Sequence, residues 1–303
     1  MAASIAEYQK RPPAQERVGG SRGKSQSRHA DRNRLASIVT IAFNSQKTLN
    51  RTIDSVLGQT YPDIEYIVID GGSSDGTLDI LRARDNDIDF WLSEPDAGIS
   101  DAFNKGIALA HGAYIALVNS DDWLEPTHIS SAVDALLRTT AGFVFGDMML
   151  HPSDGNPPFI LTGERRYAQY LPHTMPQINH PTIVSRRSLY EDHGLFATGL
   201  SAAMDFEWLL RVHSRGILGE YSPKILGHMS MEGVSHSNFM HALKEVRDTS
   251  VRYGYPSILA QCRYVVRGNR VRLRQALQNW MPRAWYEWLR HKINPRFKKI
   301  DAS

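Results

Sequence analysis

The chain has 303 residues, of which 42% are apolar and 22% charged, so it is long and apolar enough to bury a sizeable core. This composition excludes a wholly disordered chain and a collagen-like fibre, and the single cysteine, Cys262, excludes an internal disulfide and a thiolate zinc cluster and favours a reducing compartment. The net charge of +3 is unevenly divided, because residues 1–36 carry 8 basic and 3 acidic side chains, residues 37–261 carry 16 and 27, and residues 262–303 carry 11 and 2.

The first 36 residues are predicted to form a disordered basic arm. They contain Pro-Pro, Gly-Gly and many Ser and Arg residues with scattered apolar positions, so they bury too little surface to offset the entropy of ordering. The arm lacks the apolar run of a secretory signal, and no stretch of the chain approaches the ~18 uncharged apolar residues of a membrane-spanning helix. We therefore expect a cytoplasmic protein, soluble or peripheral on the inner face of the membrane.

Strands and helices alternate in the sequence that follows the arm. Apolar, β-branched runs predict strands at residues 37–43, 64–70, 89–93, 113–118 and 142–146. Helical spacing of apolar residues falls between them, and this alternation predicts an α/β fold with a mostly parallel sheet flanked by helices. Ligands bind such sheets beyond the carboxyl ends of the strands. Four polar residues recur at or just after those ends: Asn44, Asp70, Asp96 and Asp121.

A glycine-rich turn, Asp70-Gly-Gly-Ser-Ser-Asp-Gly76, joins the second strand to a helix. Its glycines let the backbone approach a ligand, while Asp70 and Asp75 can accept hydrogen bonds from ribose hydroxyls or base N–H groups. The alternative is a plain strand-to-helix turn that Asp75 caps. The chain has neither a Gly-rich loop ending in Lys-Ser/Thr nor a GxGxxG motif, which disfavours ATP hydrolysis and NAD chemistry.

Two adjacent carboxylates, Asp121 and Asp122, follow the apolar strand 113–118. They would repel each other unless a hard cation such as Mg²⁺ or Mn²⁺, itself holding phosphate oxygens, lies beside them. The alternative is that Asp122 caps the next helix and Asp121 is solvated. A third polar group contains Asp96 and Lys105, and Lys105 is predicted to be either a solvated helix charge or a phosphate contact.

Residues 203–211 have helical spacing and include Asp205 and Glu207. Residues two apart do not share a helix face, so one carboxylate is expected to face a site and the other a structural partner. His180 lies in an apolar stretch, where a structural role is the simpler interpretation than catalysis.

The last 53 residues, 251–303, are predicted to form a basic, Trp-rich helical tail. Arginines and lysines alternate with apolar residues, and three tryptophans fall within nine positions: Trp280, Trp285 and Trp288. This pattern is typical of a helix in a membrane interface, so residues 264–303 are predicted to contact an anionic membrane surface. The alternative is a helix that packs its Trp face on the body and leaves a solvated basic face. No nucleic-acid motif is present, and the acidic body would oppose nucleic-acid binding.

Taken in order, these motifs resemble the inverting family 2 glycosyltransferases, which have the nucleotide-binding GT-A fold. The resemblance covers roughly residues 37–250, divided into a nucleotide-sugar half at about 37–147 and an acceptor half at about 148–250. It is carried by Asn44-Ser45 and by the segments 55–62, 69–77, 94–106 and 117–122.

The resemblance implies a role for each matching residue. Asn44, Asp70 and Asp96 would line the nucleotide pocket, with Asp75, Lys105 and Asn119 as further donor contacts. Asp121 matches the carboxylate that holds Mn²⁺ or Mg²⁺ across the donor's diphosphate, and Asp205 matches the general base. The sequence departs from the family at Asn119, where an Asp usually opens the metal motif, and at Met204, where a Glu usually precedes the base.

The implied activity is metal-dependent, inverting transfer of one sugar from a nucleotide-diphosphate sugar to a hydroxyl of a glycan or lipid-linked acceptor, in cell-surface glycan or glycolipid assembly. The absence of a Gln-x-x-Arg-Trp motif favours a single transfer over processive synthesis. One alternative is a catalytically silent relative that acts as a glycan-binding or scaffold protein. Another is a sugar-phosphate nucleotidyltransferase, although such enzymes usually carry a Gly-rich basic loop where this chain has Ala42-Phe43-Asn44-Ser45.

Overall fold

A computed structural model of the chain describes residues 3–10, 18–21, 31–153, 157–171, 178–231, 239–280 and 297–299. The helices are α1 Ile5–Gln9, α2 Leu49–Leu57, α3 Thr77–Ala83, α4 Ile99–Leu109, α5 His128–Arg138, α6 Tyr167–Tyr170, α7 Ser188–His193, α8 Met204–His213, α9 Phe239–Arg252 and α10 Ser257–Trp280. The strands are β1 Val18–Gly19, β2 Ala36–Ala42, β3 Ile64–Asp70, β4 Phe90–Ser93, β5 Tyr114–Asn119, β6 Trp123–Leu124, β7 Phe143–His151, β8 Phe159–Leu161, β9 Val184–Arg186, β10 Gly219–Ser230 and β11 Phe297–Lys299.

The strands form one sheet in the order β1-β4-β3-β2-β5-β9-β7-β10-β6, with β8 and β11 attached beside β7. Strands β4, β3, β2 and β5 are parallel neighbours, and β7 and β10 form a second parallel pair. The antiparallel strand β9 joins the two groups. The predicted α/β class, with a mostly parallel sheet flanked by helices, is confirmed.

Two hydrophobic cores lie on opposite faces of the sheet, which explains the unbroken apolar runs of its central strands. Every residue of β2 is buried, and its side chains alternate between the cores. Val39 packs in the core that contains Phe103 and Ile107 of α4, while Ile38 packs in the core that contains Ile53 of α2. With both faces covered, the carboxyl ends of the parallel strands are the part of the sheet left open to a ligand.

Part of the N-terminal arm is ordered, so the prediction of disorder was wrong for residues 3–10 and 18–21. Ser4 and Glu7 form a capping box at the start of α1, which packs against α4. Tyr8 is buried there, and β1 pairs with β4 at the edge of the sheet. Composition did not predict this order, because a few apolar side chains are enough to order a short segment when they pack against an existing core.

The C-terminal region begins with α9 and α10, which pack against each other. Helix α10 occupies the first part of the predicted tail, whereas Phe297–Lys299 form a strand rather than a helix. Trp285 and Trp288 lie outside the described residues. Within the described ranges, no helix is both long enough and apolar enough to cross a bilayer.

Candidate functional site

The carboxyl ends of β2, β3, β4 and β5 bring most of the predicted site residues to one edge of the sheet. The strand register pairs Ala42 with Asp70, Asp70 with Ser93, and Ile41 with Asn119. The parallel register alone aligns these strand ends, although they are far apart in the sequence.

Asp70 is fully buried at the end of β3, and both of its carboxylate oxygens are engaged. Oδ2 accepts hydrogen bonds from the Ser73 backbone N–H at 3.1 Å and from the Ser93 hydroxyl at 2.7 Å, and the Ser73 hydroxyl donates to Oδ1. The carboxylate has about four lone-pair sites, so these three bonds leave one acceptor site of Asp70 unused. These hydrogen bonds join the Asp70 side chain to the glycine-rich turn through Ser73 and to the end of β4 through Ser93.

Asn44 and Asp75 tie this turn to the loop that follows β2. Asn44 has a positive φ of 50°, and its Oδ1 accepts a hydrogen bond of 3.0 Å from the Ser74 backbone N–H. Asp75 accepts hydrogen bonds from the Thr77 backbone N–H at 2.9 Å and from the Gln46 backbone N–H at 3.1 Å. Its contacts are therefore those of a cap at the start of α3, and a contact with ribose or base stays a prediction.

Asp96 lies against the same turn, after β4. Its Oδ1 accepts a hydrogen bond of 2.8 Å from the Gly98 backbone N–H, and a Cβ atom at Gly71 would lie 2.5 Å from its Oδ2. A side chain at position 71 would therefore displace the Asp96 carboxylate from this position. Burial raises the pKa of Asp96, and the nearby charges of Asp101 and Asp70 raise it further.

Lys105, on α4, is buried and surrounded by oxygen atoms. Its Nζ lies 2.8 Å from Glu94 Oε1 and 3.4 Å from Asp101 Oδ2, and it donates a hydrogen bond of 3.0 Å to the Pro95 carbonyl. The prediction of a solvated helix charge was wrong, because the ammonium group holds the 94–101 loop instead. A phosphate contact by Lys105 stays a prediction.

Asp122 is fully buried, and one of its oxygens has no hydrogen-bond partner among the described residues. Oδ2 accepts a hydrogen bond of 3.0 Å from the Asn119 side-chain amide, whereas Oδ1 is the orphaned atom. Burial raises the pKa of Asp122 well above its usual range, and the charge of Asp121 adds to the shift. The side chain does not cap α5, whose start at Thr127 has no side-chain cap, so that alternative was wrong.

Asp121 is partly buried, and burial also raises its pKa. Two adjacent carboxylates, one with an orphaned oxygen, are hard ligands that fit Mg²⁺ or Mn²⁺. The described residues contain no group of three or more side chains placed as metal ligands. Asp121, with Asp122 beside it, would therefore hold a cation together with a ligand's phosphates rather than in an all-protein cage.

Helix α2 contacts the turn that contains Asp121 and Asp122. The Thr52 hydroxyl lies 2.9 Å from the Ser120 carbonyl oxygen and 2.7 Å from the Asp122 carbonyl oxygen. Arg51 donates a hydrogen bond of 2.9 Å to the Asp121 carbonyl, and its guanidinium lies 3.7 Å from the centre of the Trp123 ring. Sequence analysis missed Arg51 and Thr52, because nothing in their spacing points to a turn 70 residues away.

Asp205 lies in the first turn of α8. Its Oδ1 accepts a hydrogen bond of 2.7 Å from the Phe206 backbone N–H. The start of α8 contacts the start of α4, where the Ser100 hydroxyl lies 2.9 Å from Met204 Sδ. Since α4 follows directly on the Asp96 loop, this contact brings the start of α8 close to the same edge of the sheet.

The surroundings of Asp205 tune its acidity. Burial raises its pKa, and the nearby charge of His180 opposes the shift. His180 packs against Phe103 and Phe196, with ring centres 5.6 Å and 6.1 Å away. His180 therefore affects the pKa of Asp205, in addition to the structural role that its sequence position predicts.

Glu207 is the structural carboxylate of the pair, as the spacing predicted for one of the two. Its Oε2 lies 3.0 Å from an Arg211 guanidinium nitrogen, and the Tyr253 hydroxyl donates a hydrogen bond of 2.6 Å to its Oε1. Arg211 in turn donates to the carbonyl groups of Gly194 and Leu195. This network fixes α8 to α9 and to the segment after α7. Residues 233–235, whose Gly-Val-Ser sequence resembles the segment that closes over the site in family 2 glycosyltransferases, lie outside the described residues.

Comparisons with known proteins agree with the fold and the motifs. Residues 37–195 match the profile of the family described as glycosyl transferase family 2. An uncharacterized glycosyltransferase of Mycobacterium tuberculosis is 43% identical over 102 residues, which are 33% of this chain and 39% of that protein. The Escherichia coli UDP-Glc:alpha-D-GlcNAc-diphosphoundecaprenol beta-1,3-glucosyltransferase WfaP is 32% identical over 130 residues, 43% of this chain and 50% of that protein.

Among solved structures, the mannosyltransferase PcManGT of Pyrobaculum calidifontis, in complex with GDP-Man and Mn²⁺, has a TM-score of 0.58. The match covers 95% of this chain and 85% of that chain at 16% identity, so the likeness concerns the fold. The matched regions span about two fifths to one half of the length of the two curated relatives.

Proposed function

Because the chain belongs to glycosyl transferase family 2, we propose that it transfers one sugar from a nucleotide-diphosphate sugar to an acceptor hydroxyl, with inversion at the anomeric carbon. The observation that carries the proposal is that Asp70, Asp96 and Asp121 lie at one edge of the sheet. The contact between Ser100 and Met204 brings α8, the helix that contains Asp205, to the same edge.

Donor binding is assigned to the strand-end residues. Asn44, Asp70 and Asp96 would line the nucleotide pocket, with Asp75, Lys105 and Asn119 as further polar contacts. The Asn119 amide can hydrogen-bond a ribose hydroxyl where relatives of this family use a carboxylate. A Mn²⁺ or Mg²⁺ ion held by Asp121 would act as a Lewis acid toward the departing nucleoside diphosphate.

Asp205 is assigned the role of general base. Its ionised carboxylate would take the proton from the acceptor hydroxyl, whose oxygen then bonds to the anomeric carbon as the bond to the diphosphate oxygen breaks. One displacement inverts the configuration at that carbon. The raised pKa of Asp205 makes it a better proton acceptor than an exposed aspartate.

We further propose a lipid-linked or glycan acceptor and a role in cell-surface glycan assembly, at the cytoplasmic face of the membrane. WfaP is named for an acceptor sugar on diphosphoundecaprenol, which supports this class of acceptor. Family membership disfavours the nucleotidyltransferase alternative. The presence of both Asp121 and Asp205 disfavours a catalytically silent protein.

A screen of UDP-, GDP-, CMP- and dTDP-sugars tests the proposal, with thermal stabilisation and nucleotide release measured in Mn²⁺, in Mg²⁺ and in a chelator. We expect one donor class to raise the Tm and to release its nucleotide only with metal. Asp121→Asn should lose the metal-dependent part, whereas Asp134→Asn, an exposed control on α5, should keep it. Binding without turnover in any condition would favour the silent relative. Failure of every donor to bind would overturn the proposal.

A further inference from the structure

Helix α10 has one face packed on the protein and one face without a partner among the described residues. The packed face contains Ala260, which is buried, and Gly268, where a Cβ atom would lie 3.1 Å from Met240 Cε of α9. Arg247 of α9 places its guanidinium 5.0 Å from the centre of the Tyr264 ring on the same face. These contacts fix the rotation of α10 about its own axis, and so decide which side chains point away from the body.

The outward face of α10 carries the exposed apolar side chains of the helix, with the exposed polar residue Asn269 between them. Its exposed large side chains recur at helical spacing: Ile258, Leu259, Val265, Val266, Leu273 and Trp280. Ile258 is 76% exposed and Trp280 is 86% exposed. At about 1.5 Å per residue the 24 residues of α10 extend for about 36 Å, so these apolar side chains are distributed along the whole length of the helix.

Arginines flank this apolar face. Residues 257–280 contain five arginines and no acidic residue. At 100° per residue, Arg270 and Arg272 fall on opposite sides of the apolar face, and both are exposed. An apolar face between two basic borders is the pattern of a helix that lies in the plane of a membrane interface.

The charge distribution decides between the two candidate occupants of this face. A second copy of α10 would bring five arginines against five with no carboxylate to pair them. An anionic lipid surface complements the same charges, and each basic residue near it strengthens binding. The body at residues 37–261 carries an excess of acidic side chains, so it would be repelled from such a surface and contact would be confined to α10.

We propose that α10 binds the surface of an anionic lipid bilayer, with its outward apolar face buried at the headgroup boundary. The proposal narrows the predicted contact from residues 264–303 to one helix and one of its faces. Trp280 is exposed, so the alternative in which this side chain packs on the body was wrong. The proposal does not depend on sugar transfer, so failure of either proposal leaves the other standing.

Vesicle co-sedimentation of the full chain tests the proposal. The probes are vesicles of phosphatidylglycerol and phosphatidylcholine in equal parts, and vesicles of phosphatidylcholine alone. The double variant Val266→Gln/Leu273→Gln should bind the anionic vesicles on the order of 100-fold more weakly, since two side chains no longer bury apolar surface. Its matched control is Leu137→Gln/Leu218→Gln, which changes two exposed leucines elsewhere and should bind as the parent does.

A second pair of variants tests the basic borders. Arg270→Gln/Arg272→Gln should bind the anionic vesicles ~30-fold more weakly, the equivalent of about 1 kcal/mol for each arginine. Arg82→Gln/Arg138→Gln, two exposed arginines on α3 and α5, should show no loss. The proposal is overturned if the parent chain does not prefer anionic vesicles, or if the control variants lose as much binding. It is also overturned if light scattering shows a dimer that Val266→Gln/Leu273→Gln dissociates.

Discussion

The Oε2 atom of Glu245, in α9, accepts a hydrogen bond of 2.9 Å from the backbone N–H of Ala203, the residue that precedes α8. The same atom accepts a bond of 2.8 Å from the Ala202 N–H, and Oε1 accepts one of 2.9 Å from the Ser201 N–H. These N–H groups lie just before the first turn of α8, where a negative charge also interacts favourably with the helix dipole, so this carboxylate stabilises the turn that presents Asp205.

Glu245→Gln should lower turnover while leaving donor affinity unchanged, because it loosens the helix start that carries Asp205 but no donor contact. The free energy of unfolding should fall by roughly 2 kcal/mol at neutral pH, the usual contribution of hydrogen bonds to a charged group. Steady-state kinetics, donor titration and urea unfolding measure the three quantities. Glu220→Gln, an exposed control on β10, should change none of them.

The stabilising effect of Glu245 should depend on pH. Although partial burial opposes the shift, the backbone hydrogen bonds lower the pKa of Glu245 below its usual value. A lowered pKa in the folded state gives stability that is present above the unfolded pKa of about 4.5 and is lost as the pH falls through the folded pKa. The difference in unfolding free energy between the parent and Glu245→Gln should therefore shrink in acid.

Tyr8→Phe should destabilise the protein by about 1.5–3 kcal/mol, because the buried Tyr8 hydroxyl donates a hydrogen bond of 2.7 Å to Asp101 Oδ1. Thermal unfolding checks this, with Tyr170→Phe as the exposed control. Equal Tm values for the parent and Tyr8→Phe would show that this hydrogen bond does not contribute to stability.

Asp122→Asn should stabilise the metal-free protein at neutral pH. The raised pKa of Asp122 means that the unfolded carboxyl ionises first, so stability falls as the pH rises from about 3.8 through the folded pKa. Each pKa unit corresponds to about 1.4 kcal/mol, and asparagine avoids this loss. Urea unfolding in a chelator at pH 8 and pH 4 should show a gain at pH 8 that shrinks at pH 4. A variant less stable than the parent at pH 8 would contradict the expectation.

His180→Gln should move the acidic limb of the pH–rate profile to higher pH. Burial raises the pKa of Asp205 and the charge of protonated His180 opposes that shift, so removing His180 raises the pKa further. Burial lowers the pKa of His180 itself, so this opposition acts only at the acidic end of the profile. Below the pKa of Asp205 the base is protonated and turnover falls. Turnover at pH 8, where Asp205 is ionised in both proteins, is the internal control. An unshifted limb would separate His180 from the titration of the base.

The parallel half of the fold and its strand-end residues are predictable from sequence, because buried parallel strands read as apolar runs. Asp70 and Asp121 are found in this way. The residues that hold these aspartates in place cannot be predicted in this way, because they come from other elements of the fold. Ser93 donates to Asp70, and Thr52 of α2 contacts the Ser120 carbonyl beside Asp121. Only the folded register brings such pairs together.

The two ends of the chain show a different limit of sequence analysis. The composition of the arm indicates disorder, yet Tyr8 is buried and its hydroxyl donates a hydrogen bond to Asp101, which lies 93 residues further along the chain. In α10, periodicity predicts an amphipathic helix, but both the packed face around Ala260 and the outward face around Leu273 contain apolar residues. Only packing against α9 distinguishes the two faces.

The assignment of Asp205 as general base is tested most directly by Asp205→Asn, with Asp192→Asn as an exposed control. Metal-dependent nucleotide release from the donor found in the screen gives turnover, and calorimetric titration gives the donor Kd. We expect turnover to fall by about 10²–10⁴-fold with the Kd unchanged, since a general base contributes that much to the rate. Turnover near that of the parent would contradict the account.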